Sequence, residues 1–364
     1  MTDYRITPVI VYEWNNTWGW WATRSHNYGG DTPTFYIAKA SHYNLDAGER
    51  LCCWAQAADT DTWHDFDNVA IGATDITFSN DDPFPAGLIY ISGLPMYPFS
   101  RIQRKMDEWS RSQWVGQTAS TTNFIIGNAT ARTVGDDSGR TVPALPFYGF
   151  KITGDRVGNK NKAILSAFSH GTETPGPYQL EGALSYLLGA SAEAEVLRDY
   201  FEFYIYPCTN PQGVWSGWFR STPQYPAYSH DYYWDGSEGE ESIAAFRAAY
   251  AADTGGTIDV GIDYHSYMAN SDIHAAVHTG DTEGNYEYFR AEMAALDADF
   301  NLMPVDMTLT EYSYFKTLGA SLALTMEQGG ELARGVPQYK TFGENTMKAL
   351  YEMLVDGRFT YDLD

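Results

Sequence analysis

Positive charge is scarce in this sequence. Its 364 residues include 23 Lys and Arg against 47 Asp and Glu, so the formal net charge is −24. Proteins that bind nucleic acid gain affinity by neutralising phosphates with basic side chains, and an acidic chain offers no such field. The composition therefore predicts no nucleic-acid partner and no attraction to an anionic membrane surface.

Long apolar runs and a disulfide framework are also missing. No stretch approaches the roughly 18 apolar residues that a membrane-spanning helix needs, and the N-terminus lacks the basic and apolar regions of a signal peptide. The cysteines are Cys52, Cys53 and Cys208, an odd number with two adjacent, which is a poor basis for disulfides. These absences predict a protein without a transmembrane segment that is cytoplasmic, or released by lysis or carried on a particle.

Tryptophan is concentrated in the first third of the chain, where short strand-like runs such as Thr34–Ala38 and Val69–Gly72 alternate with turn residues. We predict an all-β, sandwich-like domain over residues 1–93. Tryptophan there has two interpretations: it fills a small core, or it forms an exposed surface for a sugar or a partner protein. Eight of the 11 tryptophans lie in this first third, at Trp14, Trp18, Trp20, Trp21, Trp54, Trp63, Trp109 and Trp114.

Beyond residue 93 the pattern changes to alternating strands and helices, which is typical of an α/β domain, here assigned to residues 94–364. The run Ala163–Phe168 is continuously apolar, as expected of a parallel strand that is buried on both faces. The further predicted strands are Phe201–Tyr206, Ile258–Asp263 and Leu322–Met326, and the predicted helices are Arg101–Trp109 with Ser100 as N-cap, the leucine-periodic stretch Leu180–Leu188, and Ala244–Ala252.

Metal-binding side chains follow three of these strands. His170 and Glu173 come after Ala163–Phe168, His265 after Ile258–Asp263, and Glu327 after Leu322–Met326. Ligands bind beyond the carboxyl ends of strands in open α/β sheets, and two histidines with one glutamate are a usual ligand set for hydrolytic zinc. A lone H-x-x-E occurs often by chance, but four such groups at strand ends of one domain form a more specific pattern.

Four motifs occur in an order that resembles the zinc carboxypeptidase family, the group that includes carboxypeptidase A. They are Ile164–Glu173, Asn210–Val214 followed by Arg220, Asp263–Tyr267 and Leu324–Glu327. The spacing from Asn210 to Arg220 is most similar to the cytosolic carboxypeptidase subgroup, which also has an N-terminal β-domain. The resemblance covers residues 93–350 and implies an α/β/α domain with a mixed central sheet.

The resemblance also implies roles for particular residues. His170, Glu173 and His265 would bind Zn²⁺, and Glu327 would take a proton from water and pass it to the leaving amine. Arg220 would polarise the scissile carbonyl group and stabilise the oxyanion. Asn210, Asp231 and Tyr314 are assigned to substrate binding.

One segment departs from the family pattern. Ser229–Tyr232 falls where the family has a D-L-N-R-like tetrapeptide whose Asn and Arg grip the C-terminal carboxylate of the substrate. Judged by Trp234, Asp231 and Tyr232 take those two places. A carboxylate repels a carboxylate, so the resemblance predicts intact metal chemistry with a lost anchor, and Asp231 could instead recognise a basic group.

Several other polar residues keep open assignments. Asp263 points the same way as His265 if the strand continues, so it either orients that imidazole or is a strand-end acid satisfied by the backbone. His230 is interpreted as a surface loop histidine, with a ligand or proton-carrier role as the alternative. His274 and His278 have the spacing of a metal-binding pair, but no acidic partner supports it.

Three functions are consistent with this sequence. The first is a zinc metallocarboxypeptidase-like hydrolase that acts on peptide or peptide-like substrates, peptidoglycan stem peptides among them. The second is a binding or structural module, for example of a phage particle, that keeps the fold with little or no catalysis. The third is a non-peptide amidohydrolase or deacylase that uses the same zinc site.

Overall fold

The computed structural model describes residues 3–6, 22–26, 32–38, 53–56, 58–72, 75–133, 141–218, 220–226, 228–237, 239–267, 273–329 and 335–361. The chain forms two compact units. The first comprises Met1–Met96, Met268–Ser271 and Gly329–Gln338, and the second comprises Tyr97–Tyr267, Asp272–Gln328 and Tyr339–Asp364. The domain boundary between residues 93 and 94 stays a prediction.

The described strands of the first unit form two four-stranded sheets, with strand orders β1-β3-β7-β6 and β2-β8-β4-β5. All of their described pairings are antiparallel except β1 with β3, which is parallel. The strands are β1 (Asp3–Ile6), β2 (Ala22–His26), β3 (Thr34–Ala38), β4 (Cys53–Gln56), β5 (Asp59–Asp65), β6 (Asn68–Ile71), β7 (Asp75–Ser79) and β8 (Leu88–Ser92).

The core of this unit consists of alternate apolar residues from both sheets, as the period of a half-buried strand dictates. Phe35 and Phe78 stack with ring centroids 5.5 Å apart, and Ile89 and Ile91 of β8 belong to the same buried cluster. Trp54 packs against it partly buried, so this tryptophan serves the core. Trp14, Trp18, Trp20, Trp21 and Cys52 lie outside the described residues.

The second unit is built on an eight-stranded mixed sheet in the described part of the chain, as predicted. Its strand order is β19-β18-β20-β17-β15-β16-β14-β9. Its helices are α1 (Phe99–Trp109), α2 (Pro175–Leu187), α3 (Ala192–Tyr200), α4 (Pro211–Ser216), α5 (Glu241–Thr254), α6 (Asn285–Leu296), α7 (Glu311–Thr317) and α8 (Val336–Val355), whose first residues belong to the first unit. Its strands are β9 (Val115–Gly116), β10 (Ile125–Asn128), β11 (Arg132–Thr133), β12 (Thr141–Val142), β13 (Pro146–Tyr148), β14 (Phe150–Ile152), β15 (Asn161–Ala167), β16 (Phe201–Tyr206), β17 (Val260–Tyr267), β18 (Ile273–His278), β19 (Phe300–Val305) and β20 (Leu322–Gly329).

This sheet contains both parallel and antiparallel pairs. β15 pairs in parallel with both β16 and β17, while β14 is antiparallel to β16 and β18 is antiparallel to β20. Every residue from Ala163 to Ala167 is buried, so both faces of β15 are covered. The candidate site therefore begins at the end of a strand in the buried centre of the sheet.

Three sequence predictions differ from the structure in detail. Ser100 was predicted to cap α1, but the helix begins at Phe99, two residues earlier than predicted, and Pro98 occupies the N-cap position. His265 and Glu327 were expected just after their strands, whereas both lie inside β17 and β20. Polar side chains inside buried strands interrupt the apolar pattern, so hydropathy ends such strands too early.

Among the described helices, none combines the length and the apolar character that crossing a bilayer requires.

Candidate metal centre

A strained turn at the end of β15 presents His170. Phe168 has φ +61, a left-handed conformation that residues other than glycine rarely adopt. Its carbonyl oxygen accepts a 3.0 Å hydrogen bond from the Asn210 amide, and its buried ring packs on Tyr97. The surrounding contacts therefore hold this conformation, which directs the chain out of the sheet toward Ser169 and His170.

Close packing then brings Glu173 to β17. A Cβ on Gly171 would meet the backbone of Gly213, and a Cβ on Gly176 would meet the Tyr264 carbonyl oxygen, so both positions require glycine. The Gln179 side chain donates a 2.9 Å hydrogen bond to the His265 carbonyl oxygen. The start of α2 is thus fixed against the strand that carries His265.

Both histidines turn their Nδ1 atoms toward one carboxylate. His170 Nδ1 lies 2.7 Å from Glu173 Oε1, and His265 Nδ1 lies 2.9 Å from Glu173 Oε2, which also accepts the Ser266 amide at 3.2 Å. One metal-binding atom from each of the three side chains lies within 4.8 Å of the other two. All three residues are at most 4% exposed, so the group is closed to bulk solvent.

Each imidazole has a second carboxylate on its outer nitrogen. Asp231 Oδ1 lies 3.2 Å from His170 Nε2, and Asp263 Oδ2 forms a short contact with His265 Nε2. Ser229 Oγ also lies 3.4 Å from His170 Nε2. A carboxylate on the outer nitrogen fixes the ring orientation and raises the basicity of the inner nitrogen, which is the usual support of a metal-binding histidine.

The carboxylates around the two imidazoles favour positive charge at this site. Burial acts to lower the pKa of His265, but Asp263 and Glu173 outweigh it and raise this pKa well above its usual value. The pKa of His170 is also raised: burial opposes the shift, and Glu173 and Asp231 together outweigh burial. Burial acts to raise the pKa of Glu173, yet the two histidines hold it well below its usual range. A cation bound between these groups would replace the imidazolium protons.

Glu327 on β20 lies close enough to this group for its charges to shift the pKa of Glu327. Burial raises the pKa of Glu327 to about 7 and the negative charge of Glu173 adds to this, while His265, His170 and Arg220 act in the opposite direction. Within the described part of the chain, Glu327 Oε2 has no hydrogen-bond partner. A partly buried carboxylate with a free oxygen and a pKa near neutrality suits a general base.

Arg220 and Asn210 also belong to this region. Arg220 is one-third exposed, and its Nη1 lies 3.9 Å from Asp231 Oδ2. Asn210 is fully buried and is the N-cap of α4, where its Oδ1 accepts the Gly213 amide at 2.8 Å. Its Nδ2 donates to the carbonyl oxygens of Ser169 and Ser221, so the amide links the His170 turn to the segment of Arg220.

Tyr314 is placed in an aromatic cluster. Its hydroxyl donates to the Arg247 carbonyl oxygen at 3.0 Å, and its ring packs on Trp234 and Tyr250. None of these described contacts involves His170, Glu173 or His265. The substrate-binding role assigned to Tyr314 stays a prediction without support from these contacts.

Sequence reasoning missed the contact of Asp231 with His170. Asp231 was placed in the family tetrapeptide by counting back from Trp234, and Trp234 is fully buried against Tyr250. Placing the leading acid of the tetrapeptide on Asp231 would have found the contact, because that acid is the residue type that pairs with an imidazole.

The prediction for His230 is wrong, whereas the doubt about a metal pair of His274 and His278 agrees with the structure. His230 is 2% exposed and hydrogen-bonded through both ring nitrogens, so it is not a surface histidine. His274 and His278 both lie on β18, where four residues span about 13 Å, too far apart for one metal ion. His274 instead pairs with Glu327 across the two antiparallel strands.

Comparison with known proteins agrees with this geometry. Residues 131–234 match the family model described as zinc carboxypeptidase. The resemblance predicted from the motifs is confirmed. Cytosolic carboxypeptidase 2 of Macaca fascicularis is 35% identical over 83 residues, or 23% of this chain and 10% of that protein, and cytosolic carboxypeptidase 3 of Bos taurus is 45% identical over 62 residues, or 17% and 6%. The matched segment thus spans a tenth or less of these relatives.

Solved metallocarboxypeptidases share the fold over nearly the whole chain. The enzyme from Burkholderia cenocepacia aligns with a TM-score of 0.72 at 17% identity, covering 94% of this chain and 90% of that one. The enzyme from Pseudomonas aeruginosa, solved with (2-guanidinoethylmercapto)succinic acid, aligns with a TM-score of 0.74 at 15% identity, covering 97% and 94%. At this identity the likeness establishes the metallocarboxypeptidase fold.

The donor set of this chain fits the zinc that the family name implies. Two imidazole nitrogens and one carboxylate oxygen are ligands that Zn²⁺ accepts, and three protein ligands leave one position open, as in hydrolytic sites. Asp231 and Asp263 supply the outer support that such imidazoles need.

Proposed function

We propose that this chain is a zinc-dependent, carboxypeptidase-like hydrolase that cleaves a peptide or amide bond. The proposal rests on one observation above all: the Nδ1 atoms of His170 and His265 converge on Glu173, while the outer nitrogen of each ring meets a second carboxylate. A buried group with this many electron-pair donors favours the binding of a cation. A core stabilised by packing would not need it.

His170, Glu173 and His265 are the residues that would hold the ion. Zinc, when bound, supplies a Lewis acid that polarises a carbonyl group and acidifies water. Asp231 and Asp263 keep the two rings oriented. In this account Asp231 supports a ligand, in place of the substrate role that its position in the sequence had indicated.

Glu327 acts as the general base. Its pKa of about 7 leaves a substantial fraction of carboxylate at neutral pH, and its unpaired Oε2 can accept a proton from water. The same group then donates this proton to the leaving amine. Such proton transfer contributes roughly 10²–10⁴-fold to a rate.

Arg220 stabilises the negative charge that develops on the carbonyl oxygen. Its guanidinium is one-third exposed and lies at the edge of the group, 3.9 Å from Asp231. Burial acts to lower the pKa of Arg220, but the charges of Asp231 and Glu173 outweigh burial. The pKa of Arg220 is therefore raised, and the side chain stays charged. A fixed cation at this place favours the transition state over the neutral substrate.

The substrate is a peptide or a peptide-like amide, with cell-wall stem peptides among the candidates. Asp231 is engaged with His170 and is therefore not free to bind a basic substrate group. Tyr232, next in the chain, is 39% exposed and can contact substrate. We assign Asn210 to positioning the His170 turn, because all three of its described side-chain hydrogen bonds end on backbone atoms.

The test combines metal content with hydrolysis. Wild type and Glu327→Ala would be loaded with zinc and incubated with a mixed library of peptides and muropeptides, and the products identified by mass spectrometry. We expect one equivalent of zinc in both proteins and cleavage only by wild type. Stoichiometric zinc with no cleavage of any library member would contradict the hydrolase and favour a binding module.

A further inference from the structure

A second buried polar chain runs beside the candidate metal centre. Ser169 Oγ lies 3.0 Å from His230 Nδ1, and His230 Nε2 lies 2.9 Å from Ser242 Oγ. Ser242 Oγ donates to Glu240 Oε2 at 2.5 Å. All four residues are at most 5% exposed, so this is an interior chain with no access to substrate.

The donor and the acceptor of each hydrogen bond can be assigned by starting from Glu240. Glu240 Oε2 accepts the Ile243 amide at 2.8 Å and so caps the N-terminus of α5 as a carboxylate. Ser242 therefore gives its proton to Glu240 and accepts one from His230 Nε2–H. Burial lowers the pKa of His230 to about 3, so the ring is neutral and its Nδ1 accepts the Ser169 hydroxyl.

The hydrogen-bonded chain of Ser169, His230, Ser242 and Glu240 joins the two segments that flank His170. Ser169 is its neighbour in sequence, and His230 precedes Asp231, whose carboxylate lies 3.2 Å from His170 Nε2. The His230 amide also donates a 2.7 Å hydrogen bond to the Arg220 carbonyl oxygen. His230 thus fixes, through three bonds, the relative position of the His170 turn, the Asp231 loop and the start of α5.

We propose that His230 is a positioning residue for the metal centre: its neutral, Nε2-protonated ring anchors the loop of Asp231 to Ser169 and so holds the Asp231 carboxylate on His170. This inference rests on the proposed function, because it assigns His230 a role in zinc binding. Partners of a metal-binding histidine commonly change metal affinity about 10–100-fold when they are removed.

The experiment measures zinc dissociation constants by competition with a chromogenic chelator. The variants are His230→Phe, Ser169→Ala and the double variant, with Thr254→Val as control, since Thr254 makes a buried 2.6 Å hydrogen bond to Tyr250 within α5. We expect about tenfold weaker zinc binding in each single variant. The double variant should be no weaker than His230→Phe, because both changes break the same hydrogen bond. Thr254→Val should leave zinc affinity unchanged.

A second readout is independent of zinc and of how well the variants fold. In ¹⁵N NMR spectra of wild type with labelled histidine, the His230 resonance should show the neutral Nε2–H tautomer. A neutral Nδ1–H tautomer or an imidazolium would overturn the proposal, as would zinc affinity unchanged in both single variants. A wild type that binds no zinc would instead overturn the proposed function and, with it, this inference.

Discussion

Two buried clusters of charged side chains in the described part of the second unit differ in kind. In one, Arg101 makes two hydrogen bonds of 2.8 and 3.0 Å to Glu181, whose Oε2 is also 2.9 Å from Lys340 Nζ. The Arg101 guanidinium lies 4.9 Å from the ring centroids of both Tyr97 and Tyr178. The charges of this cluster are satisfied by residues of the chain itself.

The other cluster is the His170–Glu173–His265 group. Its inner atoms are two imidazole nitrogens and a carboxylate, all of which have lone pairs to offer when the rings are neutral. Its outer atoms meet two more carboxylates. Arg101 and Glu181 are as buried as the residues of this group. Burial alone therefore does not identify a site; an excess of electron-pair donors over cations does.

The largest expected effect is on activity and comes from Glu327, which lies beside the His170–Glu173–His265 group. We expect Glu327→Gln to lower kcat by about 10²–10⁴-fold with zinc content unchanged, because the amide cannot accept the proton of water. The wild-type rate should fall on the acidic side as Glu327 is protonated; the positive charge of bound zinc places this limb below the pKa of about 7 found without metal. Steady-state kinetics between pH 5 and 9 would check both. An active Glu327→Gln with the wild-type pH profile would remove Glu327 from the mechanism.

A change in the cluster of Arg101, Glu181 and Lys340 should lower stability and leave metal binding unchanged. Arg101→Met removes two hydrogen bonds and the charge partner from the buried Glu181, so the free energy of unfolding should fall by about 3–5 kcal/mol. Urea denaturation with parallel zinc analysis measures both quantities. Lys105→Met, which breaks the surface pair with Glu108, is the control and should cost less than about 1 kcal/mol. Loss of zinc in a folded Arg101→Met would erase the distinction between the clusters.

A smaller effect is expected at Asp231. Asp231→Asn should weaken zinc binding about 10–100-fold, since the amide orients the His170 ring without its negative charge. Chelator competition gives the affinity, and Tyr232→Phe serves as the neighbouring control with wild-type affinity. If Asp231→Asn raised KM while the zinc affinity stayed constant, the residue would contact substrate, as its position in the sequence first indicated.

The last effect, which is small at each pH unit, concerns stability. Burial lowers the pKa of His230 to about 3, and the charge of His170 adds to this. Between pH 6.5 and 3 the unfolded chain binds a proton at this residue that the folded chain does not. The free energy of unfolding should therefore fall as pH falls, by at most about 1.4 kcal/mol per pH unit from this group. Urea midpoints of wild type and His230→Phe should diverge near neutral pH and converge in acid; parallel curves would contradict the buried neutral ring.

Much of the fold could be predicted because apolar runs mark buried strands. Ala163–Phe168 and Phe201–Tyr206 correspond to β15 and β16, and His170 and Glu173 follow β15 as expected. The ends of β17 and β20 were misplaced because His265 and Glu327 are polar residues within strands. Their side chains face the site, and hydropathy alone cannot separate such residues from a loop.

The supporting residues could not be predicted in the same way. His230 begins a three-residue 3-10 helix, which is too short to show periodicity. Its ring bonds to Ser169 and Ser242, which lie in other segments of the chain. The pairing of His274 with Glu327 depends on the register of two strands joined by a long connection. Contacts of this kind are set by tertiary packing, which local patterns do not encode.

Zinc K-edge X-ray absorption on the metal-loaded protein tests the central claim most directly. The account predicts one zinc per chain, with two imidazole nitrogens at about 2.0–2.1 Å and a carboxylate oxygen at about 2.0–2.2 Å, and loss of this signal in His265→Ala. Zinc that does not bind stoichiometrically, or a first shell with sulfur or without two imidazoles, would contradict it.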